Sequence, residues 1–225
     1  MKRTYYYFIV LLFAFTGCEV DNYDAPSLTL SGRIVDSQTN ELVESGGANG
    51  GSVVKLYQDN STQPLTYNTL PDGTFTQSKV FAGNYTYMAE GAFKPISADP
   101  QSITIDKDTE IEIKVVPNVR VKTEILESGS TSAKVKLTFE KLAADQTLVQ
   151  VAVIWSTYPN PNNFTFAGGS IKQEDVSVLD LTSGERIITI DGLAPNTHYY
   201  IRGSARTANP GSYYNYSTQL ELETN

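Results

Sequence analysis

The sequence predicts an all-β protein: two consecutive antiparallel β-sandwich domains behind a short leader and tether. Three observations point there. Short runs rich in Val, Ile, Thr, Tyr and Phe alternate apolar with polar residues, clusters of Gly, Asn, Asp and Pro separate these runs at close intervals, and no stretch keeps a helical period. A chain of 225 residues also has room for two cores of about 100 residues each.

Residues 1–17 form the leader. Lys2-Arg3 is followed by the apolar run Tyr5 to Phe15 and then by Thr16-Gly17-Cys18, the layout of an export signal. The run is shorter than the roughly 20 residues a helix needs to cross a hydrocarbon core, and the polar chain beyond Cys18 contains no stop-transfer segment. Gly17-Cys18 resembles the bacterial lipobox, which implies cleavage before Cys18 and acylation of its side chain and new amino terminus. Several acyl chains give an effectively permanent tether, and an acylated Cys18 leaves no thiol for a disulfide. Residues 18–26 then make a short acidic tether in which Glu19, Asp21 and Asp24 precede Pro26. Acidic residues there resemble the signal that carries Bacteroidetes lipoproteins to the cell surface; the competing reading is a solvated spacer.

The chain carries 17 Lys and Arg against 25 Asp and Glu. Loss of Lys2 and Arg3 would take the formal charge from −8 to −10, which argues against nucleic acid or an anionic surface as partner.

The first domain is read as residues 27–117. Leu28, Leu30, Gly32 and Ile34 share one parity, and further strands follow at Val53–Tyr57, Phe75, Val80-Phe81, Tyr85–Tyr87, Ile103–Ile105 and Ile111–Val116. Asp72-Gly73 and Ala82-Gly83-Asn84 are hairpin-type turns. Glu44–Ser52 is glycine-rich without the spacing of a phosphate cradle and reads as a mobile loop. Pro117 marks the boundary, because proline is unwelcome inside a central strand. The second domain, 118–225, runs through Val119–Thr123, the clean alternation Ala133–Phe139, Leu148–Trp155, Ile187–Ile190, Thr197–Ala205 and Thr218–Leu222.

Leu193-Ala-Pro-Asn-Thr-His-Tyr-Tyr-Ile-Arg-Gly-Ser-Ala205 resembles the fibronectin type III signature. That likeness implies a tyrosine corner at Tyr199, with Ile201, Gly203 and Ala205 facing inward. Leu30–Asp36, Asp72-Gly-Thr-Phe75 and Phe81-Ala-Gly-Asn-Tyr85 resemble the carboxypeptidase regulatory-like, transthyretin-type sandwich, in which the aromatic two residues beyond the Asp-Gly turn packs inward. Their combination over nearly the whole chain, with the Cys18-x-x-x-Asn-Tyr-Asp-Ala-Pro26 entry and Asp72-Gly-Thr-Phe-Thr-Gln-Ser-Lys-Val-Phe-Ala-Gly83, resembles DUF3823, a Bacteroidetes outer-membrane lipoprotein family of unknown function, similar to companions of Sus-type glycan-uptake systems. The resemblance implies a location and a context and lends no catalytic residues. It points to an outer membrane held through the lipid, with a polysaccharide or oligosaccharide, or a Sus-type transporter or neighbouring lipoprotein, as partner.

The inventory for catalysis is thin, and the chain reads as no enzyme. His198 is the single histidine and by alternation faces solvent. No hydrolase, metalloprotease or dithiol motif occurs, and one His with an acylated Cys cannot build a zinc site. Asp106–Glu112 has Ile111 where a calcium loop requires Gly, so no metal and no cofactor are expected. Aromatic residues in loops remain: Tyr158, Phe164 and Phe166 around a Pro/Asn/Gly-rich stretch, and Tyr213, Tyr214 and Tyr216 after Asn209-Pro-Gly-Ser212. Loops on a rigid sandwich carry binding residues, and flat rings suit the apolar faces of sugars. The competing reading is that these rings cap the sandwich.

Overall fold

The computed structural model describes residues 25–59, 61–97 and 100–225. The leader, Cys18 and the acids Glu19, Asp21 and Asp24 lie outside them. Strands account for the regular structure: β1 Leu28–Asp36, β2 Val53–Gln58, β3 Leu65–Asn68, β4 Thr74–Val80, β5 Gly83–Glu90, β6 Phe93–Pro95, β7 Gln101–Ile105 and β8 Thr109–Pro117, then β9 Val119–Ser128, β10 Ser132–Lys141, β11 Leu148–Ser156, β12 Ser170–Asp175, β13 Ser183–Asp191, β14 His198–Thr207, β15 Asn215–Tyr216 and β16 Leu220–Glu223. They make four sheets, ordered β4-β1-β8-β6 and β3-β2-β5-β7 in the first unit and β13-β10-β9 and β12-β11-β14-β15 in the second, with β16 also on β14.

Each pair of sheets closes on its own apolar cluster. The first gathers Leu30, Ile34, Val54, Leu56, Phe75, Tyr85, Ile105 and Val115. The second gathers Val135, Leu137, Phe139, Val153, Trp155, Ile190, Tyr199 and Ile201. Alternation is the cause: in β10, Ala133, Val135, Leu137 and Phe139 are buried while the residues between them face outward. The aromatic after the Asp-Gly turn, Phe75, packs inward at 1 % exposure, and the Tyr199 hydroxyl accepts the Ala194 N–H at 3.0 Å, the expected tyrosine corner.

Three features differ from the sequence reading. The two turns expected to close hairpins instead carry the chain between sheets. At Asp72-Gly73 the Leu70 N–H donates to Thr74 O and the Gly73 N–H to Leu70 O, with Gly73 at φ 81°, but β3 pairs with β2 and β4 with β1. Turn chemistry is local and does not specify which strand lies alongside. The β1–β8 ladder is parallel from Leu30↔Thr109 to Asp36↔Val115, unlike every other named ladder; the long path through the facing sheet supplies the crossover that a parallel pair needs. Finally, Pro117 does not end its strand early. It is the last residue of β8, opposite Phe93, and only Asn118 separates β8 from β9.

Candidate ligand-binding surface

The loop from Thr157 to Gly169, between β11 and β12, folds around Asn162. This side chain, 6 % exposed, accepts the Phe164 N–H at 2.9 Å and donates to Gly46 O of the first unit at 3.2 Å. A bridge between Asn162 and Thr165 closes the turn. The result places Phe164 at the tip, 60 % exposed yet held: its ring lies edge-on to Tyr214, with centroids 6.0 Å apart, and rests where a side chain on Gly50 would collide with it. Tyr214 is in turn fixed by its hydroxyl to Gln150 Oε1 at 2.8 Å, with the Arg206 guanidinium 5.4 Å from its ring centre.

The six candidate aromatics therefore separate. Phe164, Tyr214 and Tyr216 form one chain of rings, the last pair 6.3 Å apart. Tyr216 is a correction to the sequence reading. It is 5 % exposed, its hydroxyl accepts the Asn163 N–H at 3.3 Å, and burial pushes that hydroxyl's pKa up to about 12. Its ring is covered by Arg202 at 4.5 Å, so it presents no face to a ligand. Tyr213 points elsewhere, into a groove of about 530 Å³ shared with Met88, Gly91 and Phe93. Tyr158 is 65 % exposed and Phe166 half-buried; neither joins the ring chain.

What holds these loops in place is a polar seam between the two units. Arg202 on β14 is 0 % exposed. It donates to Ser217 O, Ser45 O and Pro71 O and to Glu44 Oε2 at 3.0 Å. Burial is the larger influence on both partners, pulling the Arg202 pKa down against the opposing effect of Glu44 and pushing the Glu44 carboxyl up against that of Arg202. A second pair, Arg120 Nε to Asp36 Oδ2 at 2.7 Å, behaves differently: burial alone would raise Asp36, but hydrogen bonds from Arg120 and Gln38 outweigh it and hold the carboxyl below its ordinary value. Asn215 completes the seam, accepting the Val119 N–H and donating to Ala92 O, each at 2.9 Å.

The glycine-rich stretch Glu44–Ser52 corrects another expectation. It is a loop, but a pinned one. Ser45 Oγ accepts the N–H groups of Gly47 and Ser52 and the Thr69 hydroxyl, and Asn49 Nδ2 donates to Thr165 Oγ1 at 3.1 Å. Gly50 leaves the room that the Phe164 ring takes. The seam residues Glu44, Arg202 and Asn215 escaped the sequence reading. One signal was present: Val151-Ala-Val-Ile-Trp155 is a continuous apolar run, and such runs belong to strands covered on both faces. Ala152 and Ile154, both 0 % exposed, indeed lie on the face turned away from the core.

His198 Nδ1 lies 2.9 Å from Glu223 and its Nε2 3.5 Å from Glu221, on a half-exposed strand face. Among the described residues no three His, Cys, Asp or Glu side chains come together to hold a metal ion.

No family model and no curated protein matches the chain. Solved structures do. A candidate carbohydrate binding protein from Bacteroides uniformis is similar over 88 % of this chain and 99 % of its own, with a TM-score of 0.73 at 20 % identity. A DUF3823 family protein from the same species matches 89 % of this chain and 100 % of its own, with a TM-score of 0.74 at 16 % identity. Another from Parabacteroides merdae matches the same shares, with a TM-score of 0.69 at 18 % identity. The fold expected from the sequence resemblance is thus the fold these proteins share.

Proposed function

We propose that the chain is a lipid-anchored accessory protein of a glycan-uptake system, displayed on the outer surface of the outer membrane, and that it binds carbohydrate weakly through the loop aromatics of its second unit. The observation that carries this reading is Phe164, a large ring 60 % exposed and yet immobilised by Tyr214, Gly50 and the Asn162 turn. A ring already fixed in place loses little entropy when a sugar stacks on it. The likeness to a candidate carbohydrate binding protein and the family resemblance support the same class of ligand. One stack removes about 80 Å² of apolar surface at roughly 25 cal/mol/Å², or about 2 kcal/mol before ordering costs. Such contacts work by repetition along a polymer.

The test is affinity electrophoresis of soluble residues 19–225 against a panel of polysaccharides. Retention by at least one glycan, weakened by Phe164→Ala, is expected; a folded chain that no glycan retains overturns the reading. The address is tested separately. Cys18→Ala should release the protein from membranes, and proteinase K on intact cells should digest it.

A second reading has its own observation. In the turn between β12 and β13, Val178 is 90 % and Leu179 49 % exposed, an apolar tip turned to water. It suits a subunit that docks on an outer-membrane transporter or neighbouring lipoprotein and binds no glycan. Pull-down from solubilised outer membrane separates the two: a stoichiometric partner lost with Val178→Asp and kept with Phe164→Ala favours docking.

A further inference from the structure

We infer that the groove between the Gly91-Ala92 turn of the first unit and the Asn209–Tyr213 loop of the second is a separate subsite for one neutral pyranose ring. It rests on the carbohydrate reading above but not on Phe164.

The groove has a built aromatic wall. Tyr213 is held at both backbone groups by one buried side chain: its N–H donates to Asn209 Oδ1 at 2.8 Å and its carbonyl accepts Asn209 Nδ2 at 2.9 Å. The ring is backed by Gly211, where a Cβ would fall 2.0 Å from a ring atom. Tyr213 is thereby fixed as a platform on the groove's lining. Across from it stand Met88, Gly91 and Phe93 of the first unit. The two walls cannot drift apart easily, because Ala92 O accepts both the Asn118 N–H at 2.8 Å and Asn215 Nδ2 at 2.9 Å.

The polar groups in the groove are of the kind sugars need. Glu90 Oε1 is taken by Lys55 Nζ at 2.5 Å, leaving Oε2 as an acceptor on the first unit's wall. Gln146 Oε1 accepts the Thr207 hydroxyl at 2.5 Å, leaving Nε2 as a donor on the second. Lys55, the cation beside the groove, is already neutralised by Glu90, so a hydroxyl-rich neutral ligand fits better than an anion. An apolar ring face against Tyr213, with hydroxyls reaching Glu90 and Gln146, satisfies all three. A volume of about 530 Å³ is in the range of small-molecule sites, roughly 300–1,000 Å³.

The test uses soluble residues 19–225 and whichever polysaccharide of the panel retains the parent, together with oligosaccharides cut from it. Tyr213→Ala should weaken oligosaccharide binding about thirtyfold, the equivalent of one lost stack. Hydrogen exchange on the parent gives a readout that needs no variant: the ligand should slow exchange at residues 88–93 and 209–213 together. Unchanged binding by Tyr213→Ala, or ligand-dependent protection confined to residues 157–169, overturns the subsite and leaves the carbohydrate reading standing. A parent that binds no glycan overturns both.

Discussion

Strands β10 and β14 belong to one sandwich and carry the same in-and-out pattern, yet their outer faces have opposite fates. On β10 the outward residues Lys134 and Lys136 meet water, and their partners are surface acids: Lys134 with Glu127 at 2.8 Å and Lys136 with Glu124 at 2.5 Å. On β14 the outward residue Arg202 is 0 % exposed, because Glu44, Ser45 and Pro71 of the first unit close over it. The alternation that tells core from surface is therefore silent about what covers the surface. An exposed charge contributes little to stability. A buried, fully hydrogen-bonded one fixes which surface docks where, and removing its partner leaves a charge stranded.

The sharpest way to break the comparison is Arg202→Ala. It strands the Glu44 carboxylate and the carbonyls of Ser45, Pro71 and Ser217, and should cost about 3–5 kcal/mol by urea denaturation. It should also open the seam to protease at Glu44–Ser52. A loss under about 1 kcal/mol would mean that the apolar cores hold the units together without it.

The two seam acids should respond to pH in opposite senses. Asp36 has a depressed folded value, so its contribution is present above the ordinary carboxylate value of 3.8 and lost as pH falls through the folded one. Glu44 has a raised folded value. Its contribution is full below the ordinary 4.5 and lost as pH rises through the folded one. Asp36→Asn should therefore hurt most near pH 7, by about 1–3 kcal/mol, with the deficit shrinking in acid. Glu44→Gln should cost less than Arg202→Ala at pH 7, and its deficit should grow as pH falls. Denaturation curves from pH 3 to 7 check both, and parallel profiles for the two variants would contradict the assignment.

The smallest effect belongs to β10. Lys134→Ala breaks a pair whose members are both well exposed, and should change stability by no more than about 0.5 kcal/mol, measured in the same curves at low and at physiological salt.

Much of the fold was legible because its signals are local. The β10 alternation, Phe75 beyond the Asp-Gly turn and the Tyr199 corner all depend on residues near in sequence. Edge strands such as β3 and β12 were missed because they are short, polar and largely exposed, the features by which edges avoid unwanted pairing. The site was less legible. Phe164 could be named as a loop aromatic, but its supports come from Gly46 and Gly50, more than a hundred residues away in the chain. Tyr216 shares every local property with Tyr214, and only the approach of Arg202 and Asn163 removes it from the surface.

The parallel β1–β8 ladder has a mechanical consequence. A load drawn between the N-terminal end of β1 and the second unit beyond β8 pulls these two strands along their length in opposite directions. The backbone bonds from Leu30 to Asp36 are then in shear and share the load, where an antiparallel pair pulled from one end would unzip bond by bond. Along the chain only Asn118 separates β8 from β9, which leaves the linker little slack to absorb strain. If the protein is held at its N-terminus and its ligand is a polymer under flow, the first unit is a clamp as well as a spacer. Atomic-force extension from Ala25 to Asn225 should show it resisting as one event, later than its modest length suggests.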